Sequence, residues 1–302
     1  MSRVATVPLQ LTLSNAIQRA QGALAKSQTE LATQKKASDF SALGTETVRN
    51  LSAHTMLAQQ SAQTAVSKGL GTTLSLYASN ISNIESSASD LRQQILTAVG
   101  TGQAGGLQDA IDSAFQQFRN SLNGSEGGVP LFGGSQTSGN PFQPQNLTDV
   151  ASMSASQAFT NDGVVASARV ADGVDVTYGV TASGVGTDLY SAFQTLAAAG
   201  PIGNVATPAQ LTALNQAMGQ LDTGLSTVRA VDAENGRKQA QVDTLAERGD
   251  QRSLLLQGVI SDNEDADLGQ VAADLSQQQT VLQASYSVFS KLSGLSLVNY
   301  LR

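Results

Sequence analysis

A chain of 302 residues with 4% aromatic residues, no tryptophan and no cysteine suits long helices with small contact side chains rather than a pocket-bearing enzyme. The net charge of −7 and isoelectric point near 4.7 provide no basic stripe for phosphates, which argues against nucleic acid as a partner. Without cysteine, thiolate metal sites, cysteine catalysis and disulfides are excluded.

The opening stretch MSRVATVPLQLTLSNAIQRA contains no long apolar run and is not a secretory signal peptide of the usual form. Apolar runs elsewhere, such as Leu254 to Leu256, fall far below what spans a bilayer, so no membrane insertion is expected. A cytoplasmic protein reads this way, and so does a protein exported without a cleaved signal. From Pro8 onward a first helix is expected, with Leu9, Leu13, Ile17, Ala20, Leu24 and Leu31 on one face and glutamines on the others. Its charges before Glu30 are all basic: Arg3, Arg19 and Lys26.

The segment from Gln34 to Glu46 breaks this seam with Ser38, Asp39, Ser41 and Gly44, residues suited to caps and turns. A long helix from near Thr45 to Gly100 follows, in which Leu70, Leu74, Tyr77, Ile81, Ile84, Ala88, Leu91, Ile95 and Ala98 alternate steps of four and three. That sustained heptad predicts coiled-coil packing. A short amphipathic helix carries Leu107, Ile111, Ala114, Phe115 and Phe118.

Between Gly100 and Gly186 lie 15 of the 28 glycines. Around Asp172-Gly173 the apolar residues alternate, with Ala168 and Val170 before and Val174, Val176, Tyr178 and Val180 after, which predicts a hairpin in a small β module. Helix resumes near Val185 to Ala199, breaks at Gly200-Pro201, and restarts after Thr207-Pro208. There Leu211, Leu214, Met218, Leu221, Leu225 and Val228 form a seam that Val242, Leu245, Leu255, Leu256 and Val259 carry on to Ile260. The last stretch repeats the theme: Leu268, Leu275, Leu282 and Phe289 are seven residues apart, and Val271, Ala272, Tyr286 and Leu292 widen the same face.

The expected fold is mainly α with a small β insert, the long helices from both chain ends running antiparallel in a coiled-coil-like bundle around a central β-rich domain. The expected division is terminal helices 1–36 and 266–302 as an assembly domain, and linkers 37–46 and 261–265. Residues 47–123 and 185–260 form a helical bundle, and residues 124–184 a glycine-rich, β-rich outer domain. The terminal seams carry the expected self-assembly contacts: Leu9, Leu13, Ile17, Leu24 and Leu31, then Leu268, Val271, Leu275, Leu282, Tyr286, Phe289, Leu292, Leu295 and Leu297.

No catalytic, cofactor or metal site is expected. His54 is the single histidine and reads as a partly exposed helix residue. The acidic run Asp262, Glu264, Asp265 and Asp267 lacks the central glycine and closing glutamate of a calcium loop, and reads as a linker with helix capping. Gly133-Gly134 has no lysine placed for a phosphate loop.

Several short segments point to a family. Leu31-Ala32-Thr33-Gln34-Lys35-Lys36 followed by Ser38-Asp39 is one, although Gln34 stands where the family has glycine. Others are the acidic Glu264-Asp265-Ala266-Asp267-Leu268, the ending Ser293-Gly294-Leu295-Ser296-Leu297 with Tyr300-Leu301, and Leu131-Phe132-Gly133-Gly134-Ser135-Gln136-Thr137 with Pro141-Phe142. Arg169-Val170-Ala171-Asp172-Gly173-Val174 is the last. In these the chain resembles the bacterial flagellin family, and its hook-associated branch more than filament flagellin. The resemblance implies a non-enzymatic structural adaptor between hook and filament, outside the cell, exported through the flagellar type III apparatus. The partners it implies are further copies in a helical or ring array, an adjacent hook-associated protein, flagellin, and an export chaperone. The alternatives are a filament-forming flagellin and, further off, an enzyme or carbohydrate-binding surface protein using the β insert.

Overall fold

The heptad runs and breakers translate into eight α-helices and two small antiparallel strand pairs among the described residues. The structure, a computed structural model, describes residues 3–37 and 39–300, with side chains for 11–37, 39–41 and 43–291. In chain order these are α1 (Arg3–Thr33), a 3-10 turn (Phe40–Glu46), α2 (Thr47–Thr101), α3 (Leu107–Leu122), β1 (Ser125–Glu126), β2 (Val129–Pro130), α4 (Leu147–Ser152), α5 (Ala155–Ala158), β3 (Ala166–Ala171), β4 (Val174–Tyr178), α6 (Ala182–Ala198), α7 (Pro208–Glu264) and α8 (Leu268–Tyr300). The chain divides into two units, residues 60–251 and the two ends 1–59 with 252–302. The first helix begins at Arg3, ahead of the expected Pro8.

In the 60–251 unit, α2 and α7 run antiparallel. Arg92 pairs with Asp222, Arg229 with Glu85 at 2.6 Å, and Lys68 with Asp250 at 2.9 Å, so residue numbers fall on one helix as they rise on the other. All nine apolar residues of the predicted α2 heptad are buried, none more than 5% exposed. On α7, Leu214, Leu221, Leu225 and Val228 are buried, and Leu211 and Met218 pack at the edge of the same core. Asn235 is buried in this seam because its Nδ2 donates to the Leu74 carbonyl at 2.9 Å, which removes the cost of an unmet amide.

Helix α6 lies antiparallel on α7, with Thr195 Oγ1 donating to Gln220 at 2.7 Å and Thr227 Oγ1 to Asp188 at 2.6 Å. The approach is close because Gly224 has no side chain: a Cβ there would lie 2.5 Å from Leu189 Cδ2 and 2.9 Å from the Leu189 backbone nitrogen. Gly224→Ala is therefore expected to lower stability by about 1–2 kcal/mol, because the overpacking outweighs the gain in helix propensity. A denaturation midpoint equal to the parent's would contradict that contact.

The apolar side chains of the insert pack into the cores of the helices. Phe132, Phe142, Val150, Ala158 and Phe159 belong to the same buried cluster as α2, α3, α6 and α7. The β3–β4 hairpin, reversed at Gly173 (φ 69°), lays Val170 and Val176 against Leu70, Leu74 and Val242. Val164 and Val165 precede β3 and are exposed. The reason is size: two strands of six and five residues cannot bury a face by themselves, so they use the helices.

The segment from Leu131 to Thr137 is a core staple in this setting. Phe132 meets Tyr77 edge-on at 5.2 Å, and the Tyr77 hydroxyl donates to the Leu131 carbonyl. The Gly133-Gly134-Ser135 turn then wraps the Asp162 carboxylate, which accepts from the backbone of Ser135 at 2.9 Å and of Val164 at 3.0 Å. These bonds, with that from the Ser135 hydroxyl, hold the Asp162 carboxyl below its ordinary range.

Candidate assembly surface and linker junction

Unit 1–59 with 252–302 is built differently. Neither of the two buried apolar clusters of the described residues includes a side chain from it. Helices α1 and α8 pack antiparallel through a thin seam, in register through Gln21 Nε2 donating to the Tyr286 hydroxyl at 2.6 Å and Ser27 facing Gln278 at 3.4 Å. Of the expected assembly residues, Val271 and Leu282 are buried, and Leu13, Ile17, Leu24 and Leu275 are half-buried. Leu31, Leu268, Tyr286 and Phe289 are exposed. Leu9, Leu292, Leu295 and Leu297 have side chains outside the described residues.

Leu31 faces water in the single chain, where the α1 seam passes through buried Ser27 and half-buried Glu30. On α7 one expectation is corrected. Leu255, expected on the seam, is 73% exposed, while Ala246, Gly249, Leu256 and Ile260 keep the inward phase. Gly249 is inward because a Cβ there would sit 2.2 Å from Thr64 Oγ1.

The two linkers meet in a polar junction. Lys35 and Asp265 form an antiparallel β-bridge, with Lys36 N donating to the Glu264 carbonyl at 2.7 Å and Ala266 N to the Gln34 carbonyl at 2.9 Å. Gln34 leaves α1 in the left-handed region at φ 58°, the conformation for which glycine is the usual residue. Glu264 is the hub. Its Oε1 accepts from Asn50 Nδ2 and from His54 Nε2, each at 2.6 Å, and its Oε2 faces Lys35 Nζ at 3.2 Å. Lys35 also pairs with Asp265 at 2.6 Å. His54, read from sequence as a partly exposed helix residue, is half-exposed and meets Phe40 edge-on at 5.7 Å. Asp267 caps α8, accepting from Gly269 N at 2.9 Å and Gln270 N at 3.1 Å. Glu264 and Lys35 are far apart in sequence, and the only local hint was opposite charge at the two breaks.

Burial pushes the Glu264 carboxyl up, and hydrogen bonds from His54, Asn50 and Lys35 together outweigh it and hold it below its ordinary value. The hydrogen bond from Lys35, then that from Ser261, lowers Asp265, and the bond to Asp265 raises Lys35 against its desolvation. Depressed carboxylates stabilise above their unfolded pKa and lose that stability as pH falls through the folded value; a raised lysine loses its contribution as pH rises through its folded value. Protection factors of the amides around 34–36 and 264–266, corrected for the intrinsic pH dependence of exchange, are thus expected to fall below about pH 4 and above about pH 10.5. Protection factors unchanged across both limits would contradict it.

No group of three or more metal-ligating side chains is present among the described residues, and no described helix is long and apolar enough to cross a membrane. No protein-family model matches the chain, and no curated protein matches it by sequence. Solved structures do match. A protein described as a flagellar hook-associated protein from Vibrio parahaemolyticus superposes with a TM-score of 0.61 at 18% identity, over 72% of this chain and 97% of that one. FlgL from Bacillus cereus superposes with a TM-score of 0.56 at 15% identity, over 70% of this chain and 98% of that one. The fold is the one these two flagellar proteins share.

Proposed function

We propose that the chain is a structural protein of the bacterial flagellum, an adaptor that joins hook to filament and assembles by packing of its terminal helices. The observation that carries this reading is the uneven burial within a fold shared with flagellar proteins. The 60–251 unit has the apolar cores, and the terminal-helix unit has most of the large apolar side chains left in water. Val271 and Leu282 contribute roughly 1.5–3 kcal/mol each on burial, while ordering the backbone of two helices of 31 and 33 residues costs about 1–2 kcal/mol per residue. A pair so thinly packed gains its missing burial from neighbouring copies, which would make assembly and folding of the ends one process. Before assembly the exposed stripe on α8 calls for cover, which suits a cytoplasmic chaperone and export through the type III apparatus in an extended state.

Electron microscopy of a deletion strain tests the adaptor role. Hooks lacking filaments, with flagellin shed into the medium, is the expected result. Normal filaments would overturn it, and loss of the filament subunit itself would favour a filament-forming flagellin. In the free monomer, amides of α1 and α8 are expected to exchange faster than those around Ile84 to Ile95, and to slow on assembly. Equal protection of the ends in both states would count against folding on assembly.

A further inference from the structure

In the 60–251 unit, α7 borders a groove that the core does not fill. Ala230, Val231, Glu234, Asn235 and Lys238 follow one another at helical spacing along one stripe of α7. The connection from β4 to α6 forms the facing wall through Gly179, Val180 and Gly184. The two glycines put no side chain into the space, which measures about 420 Å³, the size of a ligand cleft. Its lining is mostly apolar and holds one buried polar residue. Asn235 is 2% exposed; its Nδ2 is committed to the Leu74 carbonyl, and its Oδ1 accepts no hydrogen bond among the described residues. A buried carbonyl oxygen without a donor is unfavourable until something supplies one. Neighbouring polar groups are already engaged: Thr227 donates to Asp188 at 2.6 Å, and Glu234 pairs with Arg237 and Lys238. The amides that open α6 are used as well. Ala182 N donates to the Phe132 carbonyl, Ser183 N to Asn161 and Gly184 N to its cap Thr181, which leaves no anion site at that helix end.

We propose that this groove receives a tyrosine side chain from a partner protein, its ring against Val180, Ala230 and Val231 and its hydroxyl donating to Asn235 Oδ1. The floor requires a donor, and the apolar walls require an apolar stem to carry it; among side chains that combination is tyrosine or tryptophan. A tyrosine hydroxyl sits at the tip of its ring and reaches a floor acceptor end-on, whereas an indole N–H lies along the ring edge. Lysine or arginine would bring a second cation beside Lys238. The groove is open on one side, since Gly184, Ala230 and Glu234 are exposed. A free small ligand needs most of its surface covered, and here only the body of a partner closes the mouth. Glu234 and Lys238 at the rim suit a partner segment with charges of both signs. The site stands on the groove alone; its use within the flagellum rests on the adaptor role proposed above.

Para-cresol and toluene, which differ only by the hydroxyl, test the site on the full-length protein labelled at its valine methyls. Para-cresol is expected to shift the Val180 and Val231 methyl resonances and to bind about tenfold more tightly than toluene. Equal affinity for the two, or no shift at Val180 and Val231, would overturn the site. Ala230→Leu fills the groove from an exposed helical position and is expected to abolish the shifts with an unchanged melting temperature; persistent binding would also overturn the site. The source of the tyrosine is tested with the same variant in a strain deleted for the native gene, where filament attachment is expected to fall by about tenfold. Undiminished attachment, with para-cresol still bound by the wild-type protein, would mean a free phenolic ligand and overturn the partner. Wild-type chain missing from flagella would overturn the adaptor role, and with it the partner's place there, while the titration decides the groove.

Discussion

Phe142→Ala is expected to lower the stability of the 60–251 unit by about 3–5 kcal/mol. Phe142 is fully buried, and its ring meets Phe115, Phe118, Phe159 and Tyr190 at centroid separations between 5.2 and 6.1 Å. Its backbone is tied as well, since Asn123 donates to the Phe142 carbonyl and accepts from its N–H, both at 2.9 Å. Removing the ring opens a cavity bounded by α3, α6 and the insert. None of these can collapse into it without dragging the others. Chemical denaturation followed by circular dichroism would measure the loss. A change below about 1 kcal/mol, the size of a mild surface substitution, would mean that the insert is not integral to this core.

Glu264→Ala is expected to cost about 2–3 kcal/mol in the terminal-helix unit. Asn50 is fully buried and would lose the acceptor of its amide, and His54 would lose its carboxylate partner. Lys35 would keep Asp265, so the loss stays short of a complete opening. Glu264→Gln retains an acceptor oxygen and is expected to recover about half of the loss. Hydrogen exchange resolves the two units separately: protection should fall in 34–56 and 260–271 and hold around Ile84 to Ile95. Unchanged exchange in both regions would show that the junction contributes nothing.

The legible part of this protein was its periodicity. A step of four and three sustained from Leu70 to Ala98 leaves only one face that can be apolar, so the helix, its inward side and its need for a long antiparallel partner follow from the residues alone. The Asp172-Gly173 hairpin and the short helix Leu107–Leu122 were legible for the same reason, because their signals are local. Composition alone also turned the reading away from nucleic acid and thiol chemistry.

What the chain order could not reveal is what each apolar residue meets. Leu255 has the right chemistry and the wrong phase, and only the partner helix decides which of two neighbouring positions faces inward. The glycines and alternating residues of the insert are contiguous, and its apolar side chains are buried both by the flanking helices α3 and α6 and by α2 and α7. Glu264 looked like one member of an acidic linker. Its role as hub depends on Lys35, Asn50 and His54 arriving from the other end of the chain, and a long-range hydrogen bond leaves no periodic trace. Sequence determined which faces must be covered, since hydrophobic burial depends on spacing along a helix. Tertiary structure decided which were covered from within the chain, and so which remain for other copies.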